Sequence, residues 1–312
     1  MAHPRKLRFG IQLHTAVSGE EWAALARRVE DLGFDTLLLP DHFGEQLAPV
    51  PAMMAAAAAT TTLKVGALVF DNDYKHPVVL AKEMATIDRL SGGRVEVGLG
   101  AGWMLTDYQQ SGISYDSGKV RVDRFEEGLT ILKGLLGPDP VTFEGQHYRI
   151  DGLNGLPKPV TPGGPPIIVG AGLKRMLTIA ARQADIVGIN PTMPNGAADA
   201  DAARTGTAAQ TDEKLRWVKD AAGDRYEDLE INLLNLGCFV TDDRDALAEQ
   251  FAPLFGLSTA ELLEFPHALV GTTDQICETI LERRERWDAS YVVVQGDALD
   301  AMVPVVARLA GT

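Results

Sequence analysis

Positive charge, cysteine and long apolar runs are all scarce in this sequence, and each scarcity excludes something. Lys and Arg number 29 against 43 Asp and Glu, a formal charge of −14 over 312 residues. A surface that acidic repels phosphate backbones and anionic lipid, so neither nucleic acid nor a membrane is an expected partner. Any anionic ligand must be held by local backbone N–H groups or a few placed cations. The two cysteines, Cys238 and Cys277, make no disulfide framework and no CxxC metal pair, which fits a reducing cytoplasm. No window approaches the roughly 18 consecutive apolar residues of a membrane span, and Met1 to Leu7 lacks the apolar stretch of a signal peptide. What is there, 46% hydrophobic and 23% charged residues, describes a soluble, cytoplasmic globular chain with material for one large core or two smaller ones.

Short apolar runs alternate with segments of helical period. Strands are expected at Leu7–Leu13, Thr36–Leu39, Lys64–Phe70, Val95–Gly100, Ile167–Gly170, Ile186–Ile189, Ile231–Leu236 and Tyr291–Val294. Helices fall between them. The first opens on a capping box at Ser18 and Glu21 and stops at Gly33, and the third opens at Pro77. Others are expected at Val122–Leu136, Lys174–Ala184, Thr211–Ala222, Arg244–Phe255, Thr273–Trp287 and Leu299–Leu309. Repeated β-then-α units force parallel strands with right-handed crossovers. Eight of them close most economically into a (β/α)8 TIM barrel, α/β in class, as one domain over residues 1–312. An open doubly wound sheet is the alternative. The surplus length sits in a loop over 101–119, a hairpin of Val141–Glu144 against His147–Ile150 followed by a proline-rich tract to 166, and an Ala/Asp/Gly/Thr-rich segment at 195–210, expected to be mobile.

Barrel enzymes of this kind work at the C-terminal ends of their strands. On that rim the chain places Gln12 and His14, then Asp41-His42-Phe43, then Phe70-Asp71-Asn72-Asp73 and Gly100-Ala101-Gly102-Trp103. Gly170-Ala171-Gly172, Asn190, Asn235 and Gln295 complete it. His42 can give or take a proton near neutrality, with Asp41 orienting the ring or biasing its charge; alternatively Asp41-His42 only turns the chain. Gln12, His14, Asn72 and Trp103 are candidates for a substrate pocket. His76 reads as a helix cap, and His3, His147 and His267 carry no assigned role. Gly170, Ala171 and Gly172 lead into a helix start where free N–H groups suit a phosphate, with Lys174 and Arg175 beside them. Gly98, Gly100 and Gly102 do not make a dinucleotide fingerprint. No P-loop, HExxH, GxSxG or zinc pattern is present, and no metal site is expected. Arg8 and Glu96 are expected inside the barrel as a packing device.

The residues also carry a resemblance. Leu90-Ser91-Gly92-Gly93-Arg94-Val95-Glu96-Val97-Gly98-Leu99-Gly100-Ala101-Gly102-Trp103 resembles the signature of the bacterial luciferase-like superfamily. So do Asp107-Tyr108 with Gly112-Ile113, Arg121-Val122-Asp123-Arg124-Phe125-Glu126-Glu127, Gly155-Leu156-Pro157-Lys158-Pro159, Ile167–Gly172 and Ala184-Asp185-Ile186. The likeness spans most of 7–190 and resumes from Gly271 to Val294. That superfamily divides between reduced flavin mononucleotide (FMN) and the deazaflavin coenzyme F420. Pro40-Asp41-His42-Phe43 resembles the deazaflavin branch, in which the corresponding histidine sits beside the hydride-transfer centre. The resemblance implies a non-proline cis peptide at Leu68–Val69 behind the ring. It also implies cofactor contacts from Leu68, Val69 and Gly100, Ala101, Gly102 and Trp103, with Gly170 to Gly172 near the phosphate. Sugar-phosphate dehydrogenases of this branch carry a glutamate where Trp103 stands and a tryptophan near Gln46. Both are absent, which argues against glucose 6-phosphate oxidation and, with Trp103 as a flat wall, suggests a less polar substrate.

The leading expectation is therefore a coenzyme F420-dependent oxidoreductase acting on a small organic molecule, with His42 as proton donor or acceptor. An FMN-dependent monooxygenase and a non-catalytic cofactor carrier are the alternatives. Superfamily precedent makes a homodimer the expected assembly.

Overall fold

The computed structural model describes residues 5–312, so His3 lies outside the described residues. The strands, in chain order, are β1 Arg8–Gln12, β2 Thr36–Leu39, β3 Lys64–Ala67, β4 Phe70–Asp71, β5 Val95–Gly100, β6 Val141–Glu144, β7 Arg149–Leu153, β8 Ile167–Ala171, β9 Ile186–Ile189, β10 Glu230–Asn235, β11 Gly237–Val240, β12 Ala268–Gly271 and β13 Ala289–Gln295. One sheet runs β3-β2-β1-β13-β10-β9-β8-β5-β4, and β3 pairs additionally with β5. That extra pairing returns the order to its starting strand, so eight strands close and the fold is the expected (β/α)8 barrel. β4 continues the third barrel strand. The registered pairs are parallel, for example Arg8 with Tyr291 and Val97 with Ile167. Closure sets aside the open doubly wound sheet. Among the described residues, no helix is long and apolar enough to cross a membrane.

The chain divides into two compact units: one holds the segments through Leu13, Arg28–Thr36 and Gly170–Thr312, the other His14–Arg27 and Leu37–Val169. In the second unit Val65, Ala67, Val97, Phe125 and Leu129 are fully buried. The helix Pro77–Ser91 begins on proline, His76 caps it by accepting the Val78 N–H at 3.2 Å, and Gly92 ends it at φ 72°. His76 is thus the cap its sequence position suggested. Buried Asp88 accepts from the N–H groups of Val160 (2.7 Å) and Thr161 (2.9 Å) and from the Thr161 hydroxyl (2.7 Å), fastening the proline-rich tract. The third strand, expected unbroken from Lys64 to Phe70, is split into β3 and β4, and the Leu68–Val69 peptide between them is cis. Gly98 lies beneath that break: a Cβ there would meet the Ala67 carbonyl oxygen at 1.9 Å.

Sequence patterns located most elements and misjudged some edges. Ser18 Oγ accepts the Glu21 N–H, but the Glu21 carboxylate reaches back to the Val17 N–H at 2.7 Å, one residue before the expected box partner. The helix expected at Val122–Leu136 starts at Gly118, because Ser117 caps it through the Val120 N–H. The hairpin forms as β6 and β7, with Phe143 opposite Ile150. The loop after β5 contains the short helix Leu105–Ser111, and the 195–210 segment contains the helix Ala200–Arg204, capped by Asp199. Its polar residues serve as caps and carbonyl anchors; the Lys214 ammonium donates to the carbonyls of Thr205 and Asn190, each at 2.7 Å.

In the first unit the parallel pair β11 and β12 was not anticipated, because neither run alternates and one follows Pro266-His267. Buried Arg283 supports that pair, donating to Asn235 Oδ1 at 2.9 Å and to the carbonyls of Phe265, Pro266 and Ala268. Arg8 binds Asp35 and Glu230, each at 2.7 Å, with its guanidinium 3.5 Å from the centre of the Tyr291 ring. Glu96, 1% exposed, lies 3.8 Å from the Lys64 ammonium.

Candidate active site

His42 follows the end of β2, and the short helix after β5 brings a carboxylate to it. Asp107 Oδ2 lies 2.7 Å from His42 Nδ1, accepts the Tyr74 hydroxyl at 3.1 Å, and Asp107 Oδ1 accepts the Phe43 N–H at 3.4 Å. The Asp107 side chain is 6% exposed and that of His42 is 18% exposed. A carboxylate offers only acceptors, so Nδ1 carries its hydrogen and Nε2 is the nitrogen left to exchange a proton. The Trp103 ring meets the imidazole edge-on, with centroids 5.3 Å apart at 82°.

Sequence reasoning offered Asp41 as the residue that orients the ring or biases its charge; the contact to Nδ1 comes from Asp107, while Asp41 and His42 interact through their charges. Asp41 Oδ2 instead accepts the Asp71 N–H at 3.2 Å, which fixes the start of the chain leaving β4. The reason is direction. Asp41 is turned to the Asp71 N–H, whereas Asp107 reaches the ring from the short helix Leu105–Ser111. Asp107 was visible only as part of the Asp107-Tyr108 motif, and its spacing from His42 gave no sign of a partnership.

Tyr108, the next residue on the same helix, lies 2.9 Å from Asp71 Oδ2 and 3.1 Å from Asp73 Oδ2. One hydroxyl carries one hydrogen, so a second hydrogen must come from a carboxyl for both contacts to be bonds. Burial, reinforced by the charges of Asp73 and Asp41, pushes the Asp71 carboxyl from 3.8 up to about 7, which lets it hold that hydrogen up to near neutrality. Burial likewise raises Asp41, and burial with the neighbouring carboxylates holds the Tyr74 and Tyr108 hydroxyls protonated. Arg124 closes the cluster, donating to Asp73 Oδ1 at 2.8 Å and pairing with Asp116. Gly102, at φ 76°, leaves room for this network: a Cβ would stand 1.9 Å from the Tyr108 hydroxyl and 2.5 Å from Asp71 Oδ2. None of these residues except Asp41 was assigned a bonding partner from sequence. The signals available were Asp71 and Asp73 on the rim and Arg124 at a helix start.

The other candidates divide between the units. Asn72, 3% exposed, donates to the Tyr148 hydroxyl at 3.3 Å, and its amide oxygen occupies the space a Cβ at Gly128 would take. Gly100 accepts the Asn72 N–H at 3.0 Å, tying β5 to the chain after β4. His14 is exposed, and its carbonyl accepts the Leu47 N–H at 2.8 Å. In the first unit Gln12 accepts from Gln295 at 2.9 Å. Gly172 has its own local reason, since a Cβ would meet the carbonyl oxygens of Pro191 and Asn190 at 2.7 and 2.8 Å. The helix Lys174–Gln183 begins with no side-chain cap, and the Lys174 ammonium lies 5.8 Å from the Trp217 ring centre. His267 is fully buried, its Nδ1 2.9 Å from the Leu234 carbonyl oxygen, and burial pulls the imidazole down to about 3, so it is neutral. Among the described residues no group of three or more His, Cys, Asp or Glu could hold a metal ion.

The sequence profile of the luciferase-like monooxygenases matches residues 6–304. An F420-dependent glucose-6-phosphate dehydrogenase of Nakamurella multipartita is 31% identical over 191 residues, covering 58% of this chain and 56% of its own. An FMNH2-dependent dimethylsulfone monooxygenase of Pseudomonas fluorescens is 34% identical over 167 residues, 52% of this chain and 45% of its own. The chain thus matches about half the length of these curated relatives. Among solved structures, a coenzyme F420-dependent tetrahydromethanopterin reductase from Methanopyrus kandleri aligns with a TM-score of 0.78 at 17% identity, over 98% of this chain and 99% of that one. At that identity the likeness speaks for the fold.

Proposed function

The chain belongs to the luciferase-like monooxygenase family, and on that premise we propose that it is a coenzyme F420-dependent oxidoreductase acting on a small organic substrate. The observation that carries the proposal is the 2.7 Å contact between His42 Nδ1 and Asp107. Such a pair sets the tautomer, orients the ring and leaves Nε2 to deliver or remove a proton at the reacting carbon's oxygen or nitrogen. Asp107 is a positioning residue here, and His42 the catalytic one. Asp41 holds the Asp71 backbone, and its carboxylate is placed to bias the charge of the imidazole. When bound, the deazaflavin supplies a hydride donor or acceptor at its C5 carbon, and the protein supplies geometry and proton flow.

Several features suit such a cofactor. The strand break at Leu68–Val69 and the small residues Gly100, Ala101 and Gly102, with Trp103, offer a surface for a flat ring. Gly170, Ala171 and Gly172, leading into a helix whose first N–H groups have no side-chain cap, suit its phosphate, with Lys174 and Arg175 as the nearest cations in sequence. Gln12, His14, Asn72 and Trp103 remain the proposed substrate contacts, Asn72 through the wall it builds with Tyr148.

FMN-dependent monooxygenation on the same barrel is the second reading, favoured by the 34% identity to the dimethylsulfone enzyme. Oxygen uptake separates the two. With FMNH2 the protein should consume no oxygen beyond the free flavin's rate, whereas reduced deazaflavin should be oxidised by a substrate panel. Oxygen uptake coupled to substrate with FMNH2 would overturn the proposal. The His42→Ala variant tests the proton role and the carrier alternative together: deazaflavin turnover that survives unchanged removes His42 from the mechanism.

A further inference from the structure

We propose that the substrate meeting His42 is a neutral molecule with a flat apolar or aromatic face, and that anionic substrates are disfavoured there. The inference rests on the reading of His42 as the reacting group. Aromatic rings lie on and beside the imidazole in two groups of contacts. Trp103 touches His42 itself, and Phe43, the next residue, lies 4.5 Å from Tyr74 at 34° while remaining 50% exposed. Tyr74, Tyr108 and Tyr115 follow at centroid spacings of 5.5 and 4.8 Å. Their polar ends are turned to the protein. The Tyr74 hydroxyl donates to Asp107 and the Tyr115 hydroxyl to the Trp103 carbonyl at 3.2 Å, so the surface these two rings leave for a ligand is face and edge, while Tyr108 is fully buried.

Charge points the same way. Asp73, Asp107 and Asp116 belong to the second unit with Asp41 and Asp71, whose carboxyls burial holds closer to neutral, and so do the cations Arg124, Lys75 and Arg121, each of which is engaged. Arg124 binds Asp73 and Asp116, Lys75 binds Glu83 at 2.6 Å, and Arg121 lies over the Tyr115 ring while donating to the Asp116 carbonyl at 2.6 Å. A phosphate or carboxylate approaching His42 would desolvate against carboxylates and find no uncommitted cation among these three. A flat neutral molecule would gain from burying ring against ring without that cost.

Naphthol and naphthyl phosphate share one ring and differ in charge, so their binding can be compared by calorimetry, with and without coenzyme F420 present. Naphthol should bind at least tenfold more tightly than naphthyl phosphate. Trp103→Ala should weaken naphthol about tenfold, and Trp103→Phe should keep most of the affinity. Equal or tighter binding of the phosphate overturns the proposal, and so does naphthol affinity indifferent to Trp103→Ala. The measurement on the cofactor-free chain stands even if the deazaflavin does not bind, so failure of the cofactor reading and failure of this one are told apart.

Discussion

Replacing Asp71 by asparagine should remove a specific part of the protein's pH-dependent stability. Asp71 is 8% exposed, and its carboxyl is raised from 3.8 to about 7 by burial and by the charges of Asp73 and Asp41. In the folded chain it therefore keeps its proton at pH values where the unfolded chain has lost its own. The folded state then binds more protons, so stability falls as pH rises through this window and levels off above about pH 7. The loss from this one group amounts to about 4 kcal/mol across the whole span, about 3 kcal/mol of it between about pH 5 and about pH 8. Asparagine preserves the shape and the bond to the Asp73 N–H (2.9 Å in the parent) but has no proton to lose. Urea unfolding of both proteins at the two pH values reads the difference directly. The parent should lose about 3 kcal/mol more than the variant on going to the higher pH. Parallel losses would refute the assignment of the second hydrogen in the Tyr108 network to Asp71.

Asp107→Asn should lower kcat about a hundredfold or more with an unchanged circular dichroism spectrum, because the amide can present its N–H to His42 and favour the other tautomer; Asp107→Glu should recover part of the loss. Gly102→Ala should destabilise the fold by about 2 kcal/mol or more in chemical denaturation, since the added Cβ meets the Tyr108 hydroxyl at 1.9 Å and the residue is held at φ 76°. Asp88→Ala leaves the N–H groups of Val160 and Thr161 and the Thr161 hydroxyl without their acceptor. It should cost about 3 kcal/mol, read as a lower urea midpoint with little change in activity.

The barrel was legible because its signals are local. Apolar runs such as Val95–Gly100 and Ile186–Ile189 became strands with the expected bounds, and Thr273–Trp287 and Leu299–Leu309 became helices from end to end. The misses were longer-range. The β11–β12 pair depends on a buried arginine 15 residues beyond Ala268 in sequence, which no periodicity announces. At the site, His42 stood out as a histidine at a strand end, but its carboxylate lies 65 residues away. The adjacent Asp41 was the natural partner in one dimension; in three, it accepts the Asp71 N–H and acts on His42 only through its charge. Gly102 stood out only as an implied cofactor contact; that its missing side chain also makes room for Tyr108 and Asp71 depends on residues that come together only in the fold.

A deazaflavin enzyme must bind its deazaflavin in preference to a flavin, and equilibrium titration of the purified chain with coenzyme F420 and, separately, with FMN measures that preference. The prediction is saturable binding of the deazaflavin at least tenfold tighter than of FMN. Saturable FMN binding with no detectable binding of the deazaflavin would contradict it.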